Sequence, residues 1–102
     1  MNGSFNIPEK FKLNGKTITV IIDDDYCNEE EIFGEADFTE KVITLCHIYK
    51  GKKLTKKTKE LTYYHELVHL ILDAIGRHSL KWNEEFVEDF AKKLYEYETT
   101  KR

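Results

Sequence analysis

The chain has 102 residues, enough for one domain with one modest core and too few for two. Lysine and arginine number 16 against 19 aspartates and glutamates, and the formal charge of −3 excludes a global pull toward nucleic acid or an anionic membrane. Hydrophobic residues at 40% and aromatic residues at 13% exclude an intrinsically disordered chain.

Residues 1–9 are polar, hold the single proline, Pro8, and read as an arm; they lack the basic and apolar regions of a signal peptide. No apolar run is long enough to span a bilayer, so a cytoplasmic address is expected. FKLNGKTITVII (11–22) places Asn14-Gly15 between two strand-like segments, the signature of a tight hairpin. The second of these strands is expected to begin with one polar side and to become buried on both. DDDYCNEEE (23–31) reads as an acidic, solvated loop, without the glycine and distal glutamate of a calcium loop.

Residues 32–51, IFGEADFTEKVITLCHIYKG, predict two short strands with a turn at residues 37–40; KVITLCHIY (41–49) is the stronger of the two. Cys27 and Cys46 lie in or beside apolar runs and are expected as buried free thiols, since two cysteines make no disulfide framework. Six lysines in residues 50–59 read as a solvated face or loop.

Two helices end the chain. The first runs from Thr55 or Thr58 to Ile75 and stops at Gly76; Leu61, Tyr64, Val68, Ile71, Leu72 and Ile75 form its core stripe, widened by Leu67 and Leu70. The second starts at Asn83, an N-cap, and carries Phe86, Val87, Phe90, Leu94 and Tyr97 at helical spacing, with residues 98–102 fraying. There is no internal repeat or linker. Strands first and helices last is an α+β pattern, with a small, mostly antiparallel N-terminal sheet in a single domain over 1–102.

The chemistry is concentrated in TYYHELVHLILDAIG (62–76). Residues four apart on a helix differ by about 40° in direction and about 6 Å in height, so His65 and His69 reach one ion from one face. Glu66 points about 100° away from His65 and is placed to act on a water without binding the metal. Two histidines and a glutamate in an otherwise apolar helix are costly to bury without a partner, and a metal supplies one. Catalytic zinc takes three protein ligands and keeps a position for water. A histidine six residues after the second is excluded, because that position is Ile75. His78, just beyond Gly76, is one source of the third ligand; the other is the second helix, WNEEFVEDFAKKLYEY.

Asn83-Glu84-x-x-Val87-Glu88 resembles the Asn-Glu-x-x-small-acid element of thermolysin-like zincins, the gluzincins. The resemblance implies that Glu84 is the third ligand and that Glu88 orients His65 or His69 from behind; Glu85 is the rival, one residue off register. HELVHLILDAIG followed by NEEFVEDFAKKLYEY is similar to the small ImmA/IrrE-like metallopeptidases of phages and mobile elements, with LNGKTITVIIDDD and FGEADFTEKVITL resembling their short strands. The chain carries Val87 and Glu88 where that family usually has a small residue and asparagine. A minimal zincin-like domain with one Zn²⁺, acting on a protein or peptide substrate and on neither nucleic acid nor membrane, is what the resemblance implies. Glu66 would be its general base, and an edge strand over residues 42–47 would hold the extended substrate. The alternative is a non-catalytic, metal-stabilised interaction module on the same fold. His47, at the end of its strand, reads as a surface or packed histidine, and Tyr63 and Tyr64 read as packing residues.

Overall fold

A computed structural model describes residues 7–102. The sheet has four strands in the order β1-β2-β4-β3: β1 Lys10–Leu13, β2 Lys16–Ile22, β3 Gly34–Asp37 and β4 Val42–Leu45. β1 and β2 form the expected hairpin, with Asn14 and Gly15 both at positive φ, as a two-residue turn of this hand requires. β2 pairs parallel with β4, and β3 returns antiparallel on the far side of β4. The sheet is therefore mostly antiparallel, in an α+β fold. The β3–β4 turn is closed by Asp37, whose Oδ1 accepts from the amides of Thr39 and Glu40 at 3.0 and 2.8 Å.

The helices cover one face of this sheet. α2 (Lys56–Ala74) and α4 (Glu84–Thr100) bury Tyr64, Val68, Leu72, Val87 and Ala91 against Ile18, Ile43 and Leu45. Among the described residues no helix covers the other face, where Ile21 is 41% exposed, and Ile22, on the covered side but at the end of the strand, is 55% exposed; both correct the expectation that β2 becomes buried on both sides. Between α2 and α4 lies a four-residue helix, α3 (His78–Lys81).

α2 is N-capped by Thr55, whose side chain accepts from the Thr58 amide, and ends where Gly76 takes a φ of +77°. There the Gly76 and Arg77 amides satisfy the Asp73 and Leu72 carbonyls. Of its expected stripe, Tyr64, Val68, Leu70 and Leu72 are buried and Leu67 packs against the core; Leu61 and Ile71 are only partly buried and lie outside the core, and Ile75 sits past the last turn and is exposed, while Tyr63 is buried as well. α4 starts on Asn83, whose side chain accepts from the Phe86 amide. Its buried side is Val87 and Ala91, whereas Phe90 and Tyr97 are 52% and 60% exposed, because α2 meets the helix about one residue round from the predicted stripe.

Three further expectations are corrected. The acidic segment 23–31 is a helix, α1 (Asp24–Glu30), not a loop: Asp23 caps it, Asp24 and Asp25 oppose the positive end of its dipole, and Cys27 anchors it in the interior. The strand predicted over 41–49 breaks after Leu45 and resumes as β5 (Ile48–Tyr49), which forms a hairpin with β6 (Lys52–Lys53) inside the lysine run. Asp24 and Asn28 cause the break: Asp24 Oδ1 accepts from the His47 and Ile48 amides, and Asn28 bonds the Ile48 carbonyl and the Lys50 amide. The tail does not fray at residue 98: α4 continues to Thr100, with Thr99 and Thr100 hydroxyls donating to Tyr95 and Glu96 carbonyls and Lys101 paired with Glu98.

Of the predicted arm, residues 1–6 lie outside the described residues. Ile7 packs against the core and the Glu9 carbonyl accepts from the Val20 amide, so the arm ends earlier than expected. Cys27 and Cys46 are free and buried. Among the described residues no helix is long and apolar enough to cross a membrane.

Candidate metal centre

The centre is built where α4 crosses α2. His65 and His69 project from one face of α2, and the first turn of α4 brings Glu84 to them. His65 Nε2, His69 Nε2 and Glu84 Oε1 form a triangle with sides of 3.3, 2.9 and 3.4 Å. Three ligands of a tetrahedral ion at about 2.0–2.1 Å stand about 3.3–3.4 Å from one another, so this triangle matches two sides of such a set and is slightly tight on the third. Among the described residues, these three are the group that could hold a metal ion.

The far nitrogen of His69 settles its tautomer, because a carbonyl only accepts: His69 Nδ1–H donates to the Lys81 carbonyl at 2.7 Å. His65 lies between two carboxylates, with Nδ1 2.9 Å from Glu88 Oε1 and Nε2 2.9 Å from Glu84 Oε1. When each ring carries its proton on Nδ1, both Nε2 atoms present lone pairs toward each other and toward a carboxylate. Three acceptors in mutual contact repel unless a positive charge, a metal ion or a proton on His65 Nε2, lies among them. A set of two imidazoles and one carboxylate fits a divalent metal of the zinc kind.

Glu66 stands beside this group and outside it. Burial pushes its carboxyl up to about 7; the charges of Glu84 and Glu35 add to the rise, while His65 and the Ala36 amide oppose it. Ala36 belongs to β3, whose outer edge pairs with no strand among the described residues. Next to Glu66 a cavity of about 610 Å³ opens between α2 and the α1–β3 connection, walled by Ile32, Phe33, Tyr49 and Leu61. β4 lies between β2 and β3, so the edge strand expected at residues 42–47 is instead β3.

The remaining candidates lie elsewhere. Glu85 is exposed and outside the metal-binding group. His78 is turned to Asp73, with Nδ1 3.9 Å from its Oδ1, and does not join the group either. His47 accepts from Lys59 Nζ at 2.9 Å. Sequence reasoning missed the Lys81 carbonyl, for which no side-chain signal exists. It also missed Phe38, whose ring meets that of His69 edge-on at 6.5 Å, and Glu35, which accepts from the Tyr26 hydroxyl at 2.9 Å and drives that phenol up to about 12.

Comparison of the chain with protein-family models, curated proteins and solved structures returned no match.

Proposed function

We propose that the chain is a zinc-dependent metallopeptidase of the gluzincin kind, a minimal zincin similar to the ImmA/IrrE-like enzymes. The observation that carries this reading is the convergence of His65 Nε2, His69 Nε2 and Glu84 Oε1, with both outer imidazole nitrogens already engaged. Held by these residues, zinc would supply Lewis acidity toward a scissile carbonyl and acidify a water.

The chain's own groups do the rest. Glu88 and the Lys81 carbonyl keep the two imidazoles in the Nδ1–H form and fix their planes. Glu66 takes the proton of the attacking water on its carboxylate and delivers it to the leaving nitrogen, the role of a general base that becomes a general acid. The free edge of β3 offers backbone groups to an extended peptide running past Glu66, a pairing that holds the substrate without reading its side chains. Among the described residues the group has three ligands, which favours catalysis over a closed structural site with a fourth protein ligand.

The test compares wild type with Glu66→Gln at equal metal loading on a cellular protein mixture, with products identified by mass spectrometry. Cleavages made by the wild type alone support the peptidase. Identical product patterns, or none from either, move the assignment to a metal-stabilised interaction module.

A further inference from the structure

The two imidazoles of the centre are held in unlike ways. His65 leans on Glu88, a carboxylate whose side chain is half exposed on the long helix α4. His69 is buried and leans on the backbone carbonyl of Lys81. A carbonyl cannot turn to follow its partner; its position is set by the path of the chain. Here that path is a single turn, α3, which has no side-chain cap and too few residues to be stable alone.

Leu80 packs against the core from this turn, and the Lys81 side chain ties it to its other neighbours. Lys81 is 8% exposed, unusual for a lysine, and each of its surroundings is a partner for a cation. Nζ lies 2.9 Å from Asp73 Oδ1, 4.4 Å from the centre of the Phe38 ring and 5.0 Å from that of Trp82. Asp73 is four residues beyond His69 on α2, hence on the same face, and is held below the ordinary aspartate value chiefly by its hydrogen bond from Lys81. Phe38 also packs against both Trp82 and the His69 ring. The β3–β4 turn, the end of α2 and the entry to α4 thus meet on one ammonium group.

We propose that Lys81 is a positioning residue for His69: Asp73, Phe38 and Trp82 grip its side chain, and that grip fixes the carbonyl that accepts the His69 Nδ1–H. The consequence for metal binding rests on His69 being a ligand; the consequence for the imidazole does not.

The experiment follows the histidine side chains of metal-free protein by long-range ¹H–¹⁵N NMR and measures zinc affinity by chelator competition. In the wild type His69 shows the Nδ1–H form with slow exchange, and His65 serves as the internal reference. Lys81→Met keeps the apolar stem and removes the charge. It should speed exchange of the His69 proton about tenfold or more and weaken zinc binding by about 10- to 100-fold, with the His65 signal unchanged. Lys81→Arg should restore most of the affinity. If Lys81→Met fails to fold with Asp73 stranded, the double variant Asp73→Asn, Lys81→Met removes both charges and should show the same local loss. A His69 signal and zinc affinity equal to wild type would overturn the proposal. So would equal loss at both histidines together with the sheet amides, which marks a merely structural lysine. Loss at His69 in a protein that binds no zinc at all would sink the metal reading and uphold the positioning.

Discussion

The α2–α4 pair and the α1–β5 region meet at β3, and they are held together by different means. The helical pair is a periodic structure: apolar residues at helical spacing bury one face of each helix, and the donor atoms of His65, His69 and Glu84 meet because the helices cross there. The α1–β5 region has little apolar burial beyond Cys27 and Cys46, and its path is set by single polar side chains reaching across about twenty residues of chain, Asp24 to the His47 and Ile48 amides and Asn28 to Ile48 and Lys50. The first kind of structure repeats its signal several times in the sequence. The second states its signal once.

The largest expected effect falls on the helical pair. Because only the native state gathers all three donors, bound zinc adds its binding energy to folding. A strong chelator should lower the melting temperature of the wild type; His69→Ala should melt lower and ignore the chelator. A melting curve of zinc-loaded wild type that stays put after verified metal removal would dissolve the distinction between a site and a chance cluster. Next comes Glu66→Gln, which keeps shape but cannot take a proton. Metal affinity and fold should persist while hydrolysis falls by about 10²-fold or more. An equally active variant removes Glu66 from the chemistry.

A smaller effect is expected at the seam. A Cβ on Gly34 would stand 2.6 Å from Thr62 Cγ2, on the helix that bears Glu66, and 3.1 Å from the Thr44 carbonyl. Thr62 is β-branched and its hydroxyl donates to the Thr58 carbonyl, so its methyl cannot swing clear without losing that bond. Gly34→Ala should cost about 1–3 kcal/mol in denaturant unfolding, with β3 displaced from α2. Unchanged stability would show that the two regions are not tightly joined there.

The smallest effect concerns Asp24. Its carboxyl is held below its ordinary value of 3.8, first by the His47 amide and then by the Ile48 amide. A carboxyl with a depressed native value stabilises the fold above its unfolded value, and that contribution disappears as the pH falls through the native one. Melting temperatures of wild type and Asp24→Asn should therefore differ near pH 6 and converge as the pH falls below the ordinary aspartate range. Parallel curves through that range would mean that the carboxylate charge does not hold β5 to α1.

What could be read in the sequence follows the same division. Asn14-Gly15 marked the first hairpin because two positive φ angles in sequence have few solutions, and Thr55, Gly76 and Asn83 marked helix ends because capping is local. His65, Glu66 and His69 could be read because helix geometry alone relates them; Glu84 and Glu88 needed a resemblance to be singled out, since nothing local ties one helix to the other. The helix α1 was hidden by its charge: Asp23, Asp24 and Asp25 look like a loop unless they are seen as a cap and a favourable first turn. The break in 41–49 was hidden because its cause, Asp24, lies more than twenty residues earlier. The exposure of Phe90 and Tyr97 was hidden because periodicity gives the width of an apolar stripe but not the part of it that the partner helix covers. The Lys81 carbonyl had no signal, because every residue has one.

The central claim is that His65, His69 and Glu84 together hold one metal ion, and native mass spectrometry of zinc-titrated protein tests it most directly. Wild type and Glu66→Gln should each take up one zinc per chain at stoichiometric concentration, and Glu84→Gln should need a large excess. A Glu84→Gln protein that binds zinc as tightly as the wild type, or a wild type that binds none, would contradict it.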